Sequence, residues 1–289
     1  MKFIVIGLAS AFALVACGKG NAPETQDTPA VVDTSEAVEK GSPVPDAPAV
    51  KPETVQRDGG VMPDKLTRDE AYLEAEINFP RGIGQSAPEI AAILLKEARL
   101  DMADMERTAQ QDAREGMPFS LSSSWEISGQ SGDLMSLVKS TYTFTGGAHG
   151  NSYLGGRIYE ISSGARVQIV DIFTDEATAA KLIIPAVRRA IAIDKAERFG
   201  VKGGPNATLT GEVSDAIPME GELPTEIALV ASTAPGKFGG LRVMYSPYDI
   251  GAYAEGSYEA VVAQDVFAAA LKPAYVGLFA GRPATPPTD

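Results

Sequence analysis

A single cysteine, Cys17, among 289 residues means that no internal disulfide can hold the fold of this chain. Any domain must be stabilised by buried apolar surface alone, and a 44% hydrophobic content at this length is enough for a core. The same scarcity removes chemistry. One Cys and one His leave no zinc-finger set and no two-histidine metal site, and no cofactor is implied. Lys plus Arg number 25 and Asp plus Glu number 38, a formal net charge of −13. That charge repels a phosphate backbone, no local basic patch offsets it, and nucleic acid is not an expected partner.

The position of the cysteine points to a compartment. Lys2 gives a positive start, and Phe3 to Val15 is an apolar run of signal-peptide length, short of the ~20 residues that span a bilayer. It ends in Leu14-Val15-Ala16-Cys17, which resembles a bacterial lipobox: small residues precede a Cys whose sulfur accepts a diacylglyceryl group. Residues 1–16 are expected to be a signal peptide, with Cys17 the lipidated mature N-terminus. More than one acyl chain gives stable anchoring. Gly18 rather than Asp follows, the pattern of lipoproteins sent to the outer membrane, so the expected location is the outer membrane facing the periplasm. From Gly18 to about Lys65 the chain carries Pro at 23, 29, 43, 45, 48, 52 and 63 and no aromatic residue. This reads as a disordered tether, extended by up to ~3.1 Å per residue where it adopts polyproline geometry.

Globular patterning begins at Tyr72. Leu73, Ala75, Ile77 and Phe79 alternate with polar residues, the period of a half-buried strand. Ser86-Ala87-Pro88-Glu89 reads as a capping box. Ile90, Leu94, Ala98, Met102, Met105 and Ala109 then recur at helical spacing, so the sequence predicts a helix from Pro88 to about Arg114. Phe119 to Ile127 and Leu134 to Thr145 read as a hairpin around Gly129–Gly132. Tyr153 to Ser162 pairs with Arg166 to Val170 in the same way. A helix capped at Thr174 or Asp175 runs towards Phe199, with Pro185 expected to kink or split it. Gly200 to Glu222 reads as loop. Strands follow at 226–231, 241–246 and 258–262, then a short helix at 265–271. The fold class is α+β, with antiparallel sheets, one long N-terminal helix and a second, Pro-interrupted helix. The expected domain covers 66–275, its first half 66–135 and its second 136–275, followed by a flexible tail at 276–289.

Few residues offer chemistry. His149 lies in the Gly-rich bend Thr145-Gly146-Gly147-Ala148-His149-Gly150-Asn151 and could serve as a general base or as a turn residue bonded to backbone. The structural role is favoured, because no defined nucleophile accompanies it. Ser136-Leu137-Val138-Lys139 has S-x-x-K spacing, but on a strand it places Ser and Lys on opposite faces, and no S-D-N or K-T-G partner occurs. Neither a phosphate loop nor a G-x-S-x-G elbow is present. Asn206-Ala207-Thr208 is a glycosylation triplet only formally. Tyr245, Tyr248, Tyr253 and Tyr258 cluster near Gly and Pro, where rings act either as core plugs or as a contact surface for protein or sugar.

Three further segments carry a resemblance. Thr141-Tyr142-Thr143-Phe144-Thr145-Gly146-Gly147-Ala148-His149, then Tyr159-Glu160-Ile161-Ser162-Ser163-Gly164 and Val170-Asp171-Ile172-Phe173, resemble the ordered motifs of a bacterial envelope-domain family. Tyr248 to Gly256 is similar to its second signature. The family's domain forms the extracellular part of the lysozyme-sensing anti-sigma factor and the non-catalytic N-terminal region of peptidoglycan deacetylases. Over Tyr72 to Pro273 the resemblance implies an α+β fold and, in the sensor branch, binding of lysozyme. Signalling and deacetylation do not carry over, since the sequence shows neither a sigma-binding segment nor a deacetylase domain. The expectation is a monomeric, non-enzymatic lipoprotein that binds lysozyme-type muramidase or peptidoglycan, with Gly146, Gly147, His149, Asn151, Tyr248, Asp249 and Tyr253 as contacts. The alternative is an envelope hydrolase using His149 with an acidic partner.

Overall fold

The computed structural model describes residues 62–219 and 222–284. The expected signal segment, Cys17 and the tether as far as residue 61 lie outside the described residues. The fold starts earlier than the alternation predicts. β1 (Lys65–Glu70) turns at Ala71 and Tyr72 into β2 (Leu73–Asn78), paired antiparallel from Lys65 with Asn78 to Glu70 with Leu73. β1 escaped the sequence reading because it is an edge strand: all but Leu66 are exposed, and charged side chains replace an apolar face.

After a single turn, α1 (Ile83–Ser86), the chain enters α2 (Pro88–Asp112) and then β3 (Phe119–Ser131), which runs parallel to β2. A parallel pair needs a crossover of a dozen or more residues, and α2 provides it. Two expectations are corrected here. The sheet is mixed rather than antiparallel, and the long helix is not N-terminal, because two strands and a helical turn precede it. The predicted capping box does not form. Ala87 is the N-cap, Ser86 Oγ donates to the Gly82 carbonyl at 3.2 Å, and Pro88 at the first helical position starts the helix with φ already fixed. Ile90, Leu94, Ala98 and Met102 of α2 close over Leu73, Ile77, Leu121 and Trp125 of the sheet.

β4 (Leu134–Phe144), β5 (Asn151–Glu160) and the two-residue β6 (Arg166–Val167) complete a six-stranded sheet in sequential order. β6 is shorter than expected because Ile169–Ile172 turn into a 3-10 helix. The β3–β4 turn is tighter than predicted, at Gly132 and Asp133. The Gly129 region is instead a bulge within β3, where a side chain would strike the backbone of Val230 and Ala231.

That close approach belongs to a second layer. β7 (Ile227–Ala231), β8 (Phe238–Tyr245) and β9 (Tyr258–Ala263) form an antiparallel sheet against the first. Ser136, fully buried in the seam, accepts from Leu229 N–H at 2.8 Å, while Lys139 on the opposite face of β4 pairs with α2. The S-x-x-K spacing therefore serves two interfaces, not one site. α3 (Glu176–Arg198) covers the far face of the second sheet through Ile183, Ile184, Val187 and Ile191. Pro185 does not split it. The proline is exposed, so the Lys181 carbonyl that loses its helical donor can bond water.

Within the expected loop 200–222 lies α4 (Ala207–Ala216), capped by Asn206, whose side-chain oxygen accepts from Leu209 N–H at 2.9 Å. α5 (Gln264–Phe267) and α6 (Pro273–Val276) are single turns. The expected flexible tail is packed as far as 284. Phe279 is buried, its ring 5.6 Å from that of Phe238 and 5.5 Å from that of Phe267, and Ala284 N–H bonds the Ala231 carbonyl. Among the described residues, no helix is long and apolar enough to cross a membrane.

Candidate functional site

The turn between β4 and β5 holds the first predicted segment. Gly146 and Gly147 take φ of 82° and 111°, conformations open to glycine and strained for other residues. At Gly150 a Cβ would meet the far end of the exposed Tyr142 ring, which would have to swing aside to admit a side chain. The bend delivers His149 to the surface and Asn151 to the start of β5, where it pairs with Thr143.

The second segment follows β8. Asp249 closes a turn by accepting from Ser246 N–H at 2.7 Å, so its carboxylate serves the local backbone. Tyr248 inside that turn has φ of 79°, the one non-glycine residue with positive φ among those described, and is 61% exposed. A bulky side chain in this region costs about 1–2 kcal/mol. Next, Tyr253–Glu255 form a 3-10 turn.

The two segments meet. Tyr253 Oη donates to the Gly150 carbonyl at 2.6 Å, His149 stacks on the Tyr253 ring at 3.9 Å between centroids, and the Tyr248 ring is tilted against that of Tyr253 at 5.4 Å. His149 Nδ1 also contacts the Gly150 carbonyl, at 2.9 Å. Of the seven predicted residues, three become a contiguous ring platform. Gly146 and Gly147 shape its turn, Asp249 braces the neighbouring one, and Asn151 is placed in the strand. Both partners of His149 are a carbonyl and a ring, not the carboxylate a hydrolytic base would use.

Sequence reasoning missed what holds the platform in place. Lys195 on α3 is only 3% exposed, with Nζ 2.9 Å from Glu255 and 3.0 Å from Glu212. Burial opposes its charge, but the hydrogen bonds to Glu255 and Glu212 outweigh this and raise its pKa. Burial pushes Glu255 upward as well. The Tyr258 hydroxyl, Lys195 and the Ala252 N–H together outweigh it and hold the carboxyl below its ordinary value. Burial, with the hydrogen bond to Glu255, pushes the Tyr258 phenol well up. Arg198 lies over the Tyr258 ring at 4.1 Å and donates to the Glu255 carbonyl at 2.7 Å. At the foot of the Tyr248 turn, burial and the Asp249 charge push the Tyr245 phenol up to about 12. Its hydroxyl has no hydrogen-bond partner among the described residues.

None of the seven residues lines the cleft of about 560 Å³ on the α2 face of the β4–β5 hairpin. Among the described residues, no group of three or more His, Cys, Asp or Glu is arranged to hold a metal ion.

Residues 66–152 match the sequence profile of a family described as Deacetylase PdaC. The match runs from β1 to the first residues of β5 and includes the Gly146–His149 turn. A DUF3298 family protein from Pseudomonas aeruginosa PAO1 superposes with a TM-score of 0.52 at 19% identity, covering 75% of this chain and 96% of that one. A DUF3298 family member from Bacteroides fragilis NCTC 9343 gives 0.50 at 16% identity, covering 74% and 95%. At these identities the likeness is one of fold. No curated protein matches the sequence. The deacetylase side of the expected resemblance is thus supported over the first part of the domain. The findings do not extend to the anti-sigma factor.

Proposed function

We propose that this chain is an exported lipoprotein, held by acyl groups on Cys17 at the periplasmic side of the outer membrane, whose α+β domain binds a lysozyme-type muramidase and performs no reaction. The observation that carries the reading is the platform of His149, Tyr253 and Tyr248, assembled from two segments about a hundred residues apart in sequence. A tyrosine kept 61% exposed in a costly backbone conformation is a contact group, since an exposed turn with no partner to meet would relax to glycine or asparagine. Tyrosine rings supply large contact area for little rotamer entropy. The formal charge of −13 complements a basic partner and speeds encounter. The hydrolase alternative loses support because His149 faces a carbonyl and a ring rather than an acid.

Titration calorimetry of the full chain in detergent micelles with a basic lysozyme tests the proposal. Saturable binding that weakens with added salt is expected. An absence of heat at low salt, or consumption of an envelope compound by the purified chain, would overturn it.

A further inference from the structure

A second pocket, of about 360 Å³, is lined by α3, the C-terminal end of α4, the segment leading into β7 and the end of β8. Ile184, Ile217, Pro218, Pro224 and Met244 give it apolar walls. Its charged lining residues are three acids, Glu222, Glu226 and Asp249, with no Lys or Arg among them. Asp249 adjoins Tyr248 in the chain, so the turn that presents a ring to the platform also lends a carboxylate to the pocket.

These acids keep acceptor capacity in hand. Asp249 Oδ2 accepts from Ser246 N–H at 2.7 Å and Glu226 Oε2 from Gly156 N–H at 3.0 Å. The second oxygen of each, and the carboxylate of the exposed Glu222, have no hydrogen-bond partner among the described residues. The nearby cations are engaged elsewhere. Arg157, 3.5 Å from Glu226, lines the neighbouring cleft, and Arg188 donates to the Ile217 and Ser214 carbonyls at 2.6 and 2.9 Å. Tyr245 also lines the pocket, and its buried hydroxyl is likewise without a partner among the described residues. A buried hydroxyl left unpaired is costly, and its oxygen can accept from a donor brought by a ligand.

The lining selects a ligand class. Three carboxylates with no lining cation repel an anion. A neutral apolar ligand would strip water from carboxylates and return nothing to them. Among the described residues the acids do not converge tightly enough to hold a metal ion, so a bare cation is not matched either. An organic cation answers each point: its N–H donors reach separated single oxygens, and a stem of about three or four methylenes buries against Ile184, Ile217 and Met244.

We propose that this pocket binds a guanidinium or ammonium group carried on an aliphatic stem, the form in which a basic protein presents its arginine and lysine side chains. The assignment rests on the proposed function only for the source of the cation, because a basic partner seated on the platform brings such side chains to the shared turn. Methyl-labelled methionine NMR of the full chain in detergent micelles tests it, with the Met244 methyl as reporter, assigned through Met244→Leu. Titration with N-acetyl-arginine amide at fixed ionic strength should shift the Met244 signal saturably in the millimolar range. N-acetyl-citrulline amide, its uncharged counterpart, and methylguanidinium, which lacks the stem, should bind at least about tenfold more weakly. Asp249→Asn keeps an acceptor for the Ser246 N–H and should weaken the arginine derivative at least about threefold, as should Tyr245→Phe, which loses no protein hydrogen bond and should not lower Tm. No saturable shift at tens of millimolar overturns the proposal, as does equal binding of the citrulline derivative or binding indifferent to Asp249→Asn. A basic lysozyme added at saturation should displace the arginine derivative; lysozyme bound without displacement overturns the side-chain source. Absence of lysozyme binding beside a saturable Met244 shift overturns the platform reading and supports the pocket.

Discussion

Replacing Glu255 by Gln isolates the force that fixes the platform to the body of the domain. Lys195 is 3% exposed and has two carboxylate partners, Glu255 at 15% side-chain exposure and Glu212 at 48%. Removing one partner of a buried ion pair costs about 3–5 kcal/mol, because the remaining charge is left uncompensated. Glu212 stays, but as a half-exposed pair it returns no more than about 1 kcal/mol. Gln keeps one amide oxygen, so it retains an acceptor for either the Ala252 N–H, which bonds Oε1, or the Tyr258 hydroxyl, which bonds Oε2, but not for both. The expected loss is therefore about 2–4 kcal/mol, which for a domain of this size lowers Tm by about 4–16 °C. Urea unfolding followed by Trp125 fluorescence and far-ultraviolet circular dichroism measures it. The double variant Lys195→Met/Glu255→Gln should recover part of the loss, since it removes the stranded charge together with its partner. A Glu255→Gln protein within about 0.5 kcal/mol of wild type, or a double variant that is the plain sum of the singles, would refute the reasoning.

Three other outcomes follow from the same geometry. The folded pKa of Glu255 is depressed, so its contribution is present above the ordinary carboxylate value and disappears as pH falls through the lowered one. The folded pKa of Lys195 is raised, so its contribution is present below the ordinary lysine value and lost as pH rises through the raised one. The wild-type minus Glu255→Gln stability difference, measured by urea unfolding against pH, should be flat between those limits and shrink at both ends. Tyr248→Gly relieves the positive-φ cost and should stabilise the domain by about 1 kcal/mol in the same unfolding assay, while weakening lysozyme binding in calorimetry. Gly156→Ala places a methyl group against the Ile227 backbone where the two sheets meet, and should cost at least about 3 kcal/mol or prevent folding, read by expression yield and thermal unfolding.

Amphipathic elements were the legible part of this sequence. The apolar stripe of α2 and the alternation of β2 and β3 follow from burying one face, and the two-period and 3.6-period patterns record that directly. Elements that bury little left no such record. β1 is charged because it guards an edge, and α4 is signalled only by the Asn206 cap followed by Leu209 and Val213 four residues apart. Parallel pairing of β2 with β3 is a property of the crossover rather than of either strand, so no local pattern encodes it. At the site, clustered tyrosines and a Gly-rich turn were visible as separate segments. Their stacking depends on Lys195 and Glu255, sixty residues apart in the chain, and the cleft depends on which side of β4 α2 leaves uncovered. The Thr141, Thr143 and Thr145 alternation was the one trace of that cleft in the sequence.

Hydrogen–deuterium exchange on the full chain, with and without a basic lysozyme, tests most directly whether the ring platform is a binding surface. Protection should appear in peptides covering 146–151 and 248–253 and leave Glu176–Arg198 unchanged. Identical exchange with and without lysozyme, or protection confined to other segments, would contradict it.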